Sequence, residues 1–158
     1  MKKLIYFHRN RNAGYSIEKV SKPYTDKIND KIILHVPEAR ASPLSLLRNF
    51  IFIFRKRQKN AIHHITGDIH YGLLALIGRK TVITIHDTGT VDFNKGNKIK
   101  RWLTHLLWFK IPLKIADKIV CISEVTNQYI KKYTNRNDIL VIPNCVDSQI
   151  TFHEKKRN

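Results

Sequence analysis

The feature that most constrains this chain is an alternation. Six short runs rich in Ile, Val and Leu, at 3–7, 31–36, 61–66, 81–85, 118–122 and 139–142, are separated by segments of helical spacing. Short β-branched runs read as strands, and strands alternating with helix-length segments imply βαβ units around a parallel sheet. Several runs, such as TVITI at 81–85, are apolar nearly throughout. That is the pattern of strands covered on both faces rather than on one.

The fold class expected is therefore α/β, a Rossmann-like, doubly wound, mainly parallel sheet with right-handed crossovers. Helices are predicted at about 16–23, 43–58, 70–77, 98–116 and 124–134. Pro43 suits the start of the second helix. In the fourth, Ile99, Trp102, Leu103, Leu106 and Leu107 recur at helical spacing, and Pro112 is expected to kink or split it. In the fifth, Ser123 is placed as N-cap with Glu124 in the first turn, and Val125, Tyr129 and Tyr133 are expected to face inward.

In sheets of this kind ligands bind beyond the carboxyl ends of the strands. Polar and small residues gather at those ends: His8 to Ser16 after the first strand, Gly67-Asp68 with His70 and Tyr71 after the third, and His86-Asp87 after the fourth. Ser123-Glu124 and Pro143-Asn144 follow the last two. The first loop has a single glycine, Gly14, so the GxGxxG dinucleotide fingerprint is absent, as is a phosphate-binding GxxxxGK[ST] loop. Amides near Gly14 and the helix start can still face a phosphate. On general grounds a histidine ending a strand, such as His86, is more often structural than catalytic, and His63 and His64 must point to opposite faces of the sheet. A zinc site from His64, His70 and His86 is the less favoured alternative.

Charge narrows the partners. With 29 Lys and Arg against 12 Asp and Glu, the chain carries +17 and should favour polyanions. Cys121 and Cys145 lie in no CxxC or zinc-finger spacing, so a core thiol and a loop thiol are expected in a reducing compartment. No run approaches the roughly 18 apolar residues of a spanning helix. The densest patch, FIFIF at 50–54, is bracketed by Arg48 and by RKRQK at 55–59, which suits a chain that is soluble or peripheral to a membrane.

From Ile62 onward the chain resembles the N-terminal domain of family-4 glycosyltransferases with the GT-B fold. The resemblance is carried by HHITGDIHYGLLAL, KTVITIHDTGTVDF, LLWFKIPLKIADKIVCISEVTNQYIKKYT and ILVIPNCVD, in that order; RNAGYSIEKV matches more loosely. The first loop has fewer glycines than family members commonly show, and Cys145 stands where glycine is frequent.

The resemblance implies a retaining, metal-independent transfer of a sugar from a nucleotide-sugar donor to a glycan or lipid-linked acceptor. It implies two Rossmann-like domains across a cleft, the first mainly acceptor-binding and the second holding the donor. His86 is then the catalytic-site histidine that reaches the donor sugar. Gly14, Tyr15, Ser16 and Asp87 fall on the donor side, and Asp68, His70 and Tyr71 on the acceptor side. Residues 1–143 read as the acceptor-side domain and 144–158 as the start of the interdomain linker or a C-terminal tail. The chain is accordingly expected to be a fragment, a truncated product or half of a split enzyme, inactive or very weak alone, working with a separate donor-domain chain. It is expected to bind no cofactor or metal, the nucleotide sugar being a substrate. A cytoplasmic protein is expected, peripheral at the inner membrane face. The rival reading is a non-catalytic basic module that binds anionic membrane, nucleic acid or a partner glycosyltransferase chain; nucleic acid is the least expected, since no RRM, KH or zinc-finger signature is present.

Overall fold

The computed structural model describes residues 3–13, 16–87 and 98–145. Within them β1 (Lys3–His8), β2 (Lys31–His35), β3 (Ala61–Thr66), β4 (Lys80–Ile85), β5 (Lys118–Cys121) and β6 (Ile139–Val141) form one sheet in the order β2-β1-β3-β4-β5-β6. Every neighbouring pair is parallel. The chain runs from β1 outward to the edge strand β2, then crosses back over β1 to β3 and on to β6. The order reverses between β1 and β3, so the loops leaving those strands diverge and open a crevice.

The connections are α1 (Ser16–Thr25), α2 (Pro43–Lys56), a 3-10 helix (His70–Leu76), then α3 (Lys98–Thr104), a π-helical segment (His105–Lys110) and α4 (Ile111–Ile115) in succession, and α5 (Glu124–Ile130). Ser42 caps α2 by accepting from the Ser45 amide at 3.2 Å, with Pro43 in the first turn, where its missing N–H leaves no bond unmade. Ser123 caps α5 in the same way through the Thr126 amide at 3.1 Å.

The two faces of the sheet differ in chemistry. On one, Ile5, Phe7, Ile65, Ile83 and Ile119 are fully buried against Ile53, Leu73, Leu76, Phe109 and Leu113 from the helices. The other carries Tyr6, His8, His64, Thr66 and Thr84, because side chains alternate along each strand and the parallel register aligns like faces. His63 and His64 do point opposite ways. His63 is buried on the apolar side, where its Nδ1–H donates to the Lys80 carbonyl at 3.2 Å and its Nε2 accepts from the Gln58 amide at 3.0 Å. A polar clamp joins β4 to β5: the Asp117 carboxylate accepts from the Thr81 amide at 2.7 Å and from its hydroxyl at 2.9 Å. Cys121 is buried and Cys145 exposed, as expected.

Four sequence expectations are corrected. The first helix runs two residues past Pro23, since only the carbonyl of the exposed Lys19 loses its amide partner in that last turn. The fourth helix is split, as expected, but the break lies before Pro112: a π-helical segment precedes it, with the Ile111 amide bonded to the Leu106 carbonyl, and Pro112 falls in the first turn of α4. The added residue rotates the following side chains by roughly 100°. Burial therefore passes to Trp108 and Phe109, while Ile99, Trp102 and Leu103 stay exposed. In α5 the inward residues are Thr126 and Ile130, not Val125 and Tyr129, which are 61% and 49% exposed. The Ser123 cap sets this phase by turning Thr126 toward the sheet, where its hydroxyl donates to the His86 carbonyl at 3.4 Å.

Candidate functional site

A cleft of about 600 Å³ lies beyond the carboxyl ends of β1, β3 and β4, at the topological switch. Its floor is polar: Arg9 follows β1, Gly67 and Asp68 follow β3, and His86 and Asp87 follow β4. Its walls are mostly apolar. Pro43 and Leu46 come from α2, Ile17 from α1, and Leu103, Leu107 and Trp108 from α3 and the π-helical segment, with Lys100 and Thr104 among them.

The turn after β3 is shaped by Gly67, at φ +82°. A side chain there would be in the left-handed region that only glycine enters freely. The turn is then clasped to the π-helical segment by two reciprocal bonds. The Trp108 indole N–H donates to the Asp68 carbonyl at 3.1 Å, and His70 Nδ1–H donates to the Trp108 carbonyl at 2.9 Å. In an α-helix that carbonyl would take the amide four residues on. Pro112 has none, and His70 donates to that carbonyl instead of an amide four residues on. Burial lowers the His70 pKa to about 4, although its backbone bond opposes the shift. His70 is thus a neutral ring whose Nδ1 proton is committed to the protein. Tyr71 packs at a tilt of 54° against Trp108, with ring centroids 4.8 Å apart, and accepts from the Asn49 side-chain amide at 2.8 Å.

His86 sits on the cleft floor with its Nε2 3.2 Å from the buried Thr66 hydroxyl. Beneath it, His64 Nε2 lies 2.7 Å from the Thr84 hydroxyl. Both bonds are diagonal: each residue of β3 reaches two positions beyond its register partner on β4. Next to this layer His8 is buried, and among the described residues neither ring nitrogen has a hydrogen-bond partner. Burial, then the neighbouring His35, His86 and Arg9, lower its pKa to about 4. Burial, then His8 and His86, bring His64 to about 3. These rings are therefore neutral at pH 7 and carry no positive charge into the layer.

The structure therefore brings Asp68, His70, His86 and Asp87 to one cleft, while Tyr71 lines an adjoining recess of about 190 Å³ with Asn10, Glu38 and Arg40. Gly14 and Tyr15 lie outside the described residues, as do Thr88 to Thr90 and everything after Cys145. Ser16 begins α1, but its side chain is also outside them. The histidines of the alternative zinc set are bonded elsewhere, and among the described residues no group of three His, Cys, Asp or Glu is placed to hold a metal ion. Sequence reasoning did not place Arg9, Thr66, Lys100, Leu103 or Trp108 at the site. The Thr66 signal was present in its register with Thr84; Lys100 and Trp108 arrive from a distant helix, with no local cue.

Fold and cleft together define the class: a doubly wound α/β domain, one half of a GT-B architecture, with its ligand edge at the β1/β3 switch. The profile of Glycosyltransferase Family 4 matches residues 13–150, and the chain belongs to that family. Comparison with curated proteins finds no match.

Proposed function

We propose that this chain provides the acceptor-side wall of a retaining glycosyltransferase that moves a sugar from a nucleotide-sugar donor to a glycan or lipid-linked acceptor. The observation that carries the reading is His86, on the floor of the switch-point cleft and braced by Thr66. In the reaction the bond from the anomeric carbon to the donor phosphate breaks, a bond to the acceptor hydroxyl oxygen forms, and the hydroxyl proton passes to the departing phosphate. His86 contacts the donor sugar. Asp87, Gly14, Tyr15 and Ser16 lie on the donor side. Asp68, His70 and Tyr71 belong to the acceptor side, where the two rings act by holding Trp108 and the turn. No cofactor or metal is needed for this chemistry. Positive charge beside the leaving phosphate stabilises the transition state, and Arg9 and Lys100 line the cleft to supply it.

The nucleotide is held by a second, facing domain, so the 158 residues alone turn over weakly at most. Losing one positioned electrostatic group costs about 10²–10³ in rate, and losing the wall that grips the donor costs far more. The basic flank of α2, with Arg55, Lys56, Arg57 and Lys59, seats the protein peripherally on the anionic cytoplasmic face of a membrane. No helix among the described residues is long and apolar enough to cross one.

The test is a radiolabelled-sugar transfer assay on the 158-residue chain, with and without a separately supplied family-4 donor domain. Transfer that appears only with the added domain and is lost in His86→Ala supports the reading; robust turnover without it overturns the two-wall requirement. Binding to anionic vesicles with no transfer under either condition points instead to a non-catalytic basic module.

A further inference from the structure

We propose that the acceptor is an amphiphile whose hydrocarbon tail leaves the cleft along an apolar lane between α2 and α3; this rests on the acceptor-side reading above and specifies its substrate class. The floor of the cleft is polar and suits a sugar or phospho-sugar head. The walls are not. Leu46 and Pro43 on one side and Leu103 and Leu107 on the other face the same space. A free glycan, covered in hydroxyls, gains little from such walls.

The apolar surface also continues outward from the cleft. Ile99, Leu103 and Leu107 are spaced four residues apart and form one row along α3 into the π-helical segment. Ile99 at the outer end is 73% exposed, Leu103 at the cleft 42%, and the neighbouring Trp102 62%. An exposed apolar surface continuous with a concave site marks a binding surface rather than scattered surface apolar residues. Lys98, Lys100 and Arg101 border the row, and their charge complements an anionic head group or bilayer at the lane's mouth. A tail leaving by this route passes from the cleft directly into such a surface.

The test uses the 158-residue chain with methyl, hexyl, octyl and decyl β-glucoside, each below its micelle concentration, read by tryptophan fluorescence from Trp102 and Trp108. The expected result is tighter binding with each added carbon, by up to about fourfold per fully buried methylene. Leu103→Asp should flatten that dependence. Ile77→Asp, an exposed site before the amino end of β4, should leave it intact. Equal dissociation constants for the methyl and decyl glycosides overturn the lane, as does an unchanged length dependence in Leu103→Asp. So does a concentration-dependent dimer whose dissociation alone uncovers these residues. The underlying reading fails separately. If a decyl tetraethylene glycol ether binds as tightly as decyl glucoside and methyl glucoside does not bind, the lane stands and the sugar-acceptor site falls. If methyl glucoside binds without any length dependence, the acceptor site stands and the lane falls.

Discussion

Mild acid is expected to unfold this domain before most of its carboxylates titrate. His8 and His70 are almost fully buried, with pKa values lowered from 6.5 to about 4, and His64 is lowered to about 3. A folded-state pKa below the unfolded value means that the unfolded chain binds protons first. Stability is therefore complete above about pH 6.5 and is lost as the pH falls toward 4. At pH 5 each ring is nearly fully protonated when unfolded and nearly unprotonated when folded. That costs about 2 kcal/mol per histidine, or roughly 6 kcal/mol for the three. A typical domain has only about 5–15 kcal/mol to lose. His63 shifts in the same direction. The assay is urea unfolding, followed by circular dichroism, at half-unit steps from pH 7.5 to 4.5. Between pH 6 and 4.5 the slope should correspond to nearly three protons taken up on unfolding, about 4 kcal/mol per pH unit. His70→Asn removes one titrating ring and keeps a donor for the Trp108 carbonyl, so it should lower the slope by about a third while the protein still folds. A wild-type slope below one proton would refute the reasoning, because these rings would then titrate alike in both states.

Other perturbations test the joints of the site. Asp117→Ala removes the acceptor for both the amide and the hydroxyl of buried Thr81, and should cost about 2–3 kcal/mol in urea unfolding at pH 7. Gly72→Ala would put a methyl group 2.6 Å from Ile53 Cδ1 in the core beneath the 3-10 helix, with an expected cost of about 1–3 kcal/mol. Thr66→Val keeps the shape of the buried side chain but removes the hydroxyl beside His86 Nε2. It should shift the His86 ring resonances and lower sugar transfer in the two-domain assay, while Thr66→Ser restores both; unchanged resonances in Thr66→Val would show that the bond does not position the ring.

The alternation of six strand-like runs with helical segments was enough to establish a parallel α/β sheet, because strand and helix periodicities and β-branched content are properties of local sequence. The Ser123 cap and the helix start at Pro43 were readable for the same reason, each resting on neighbours within a few residues. His86-Asp87 at the end of an apolar strand was legible as a ligand-edge pair, and the resemblance to family 4 indicated what kind of ligand to expect. What periodicity could not assign was phase and company. The stripe from Ile99 to Leu107 has perfect helical spacing, yet the π-helical segment turns its first half to solvent and buries Trp108 and Phe109 instead. His70 looked like an acceptor contact, but its Nδ1 proton belongs to the Trp108 carbonyl, 38 residues away in sequence. Arg9, Thr66, Lys100 and Trp108 meet His86 at one cleft only because the strand order reverses between β1 and β3. Local sequence determines which segments are strands and helices, since those preferences act over a few residues. The membership of the site was decided by tertiary structure, since burial, register and hydrogen-bond partners depend on chain segments that sequence proximity does not connect.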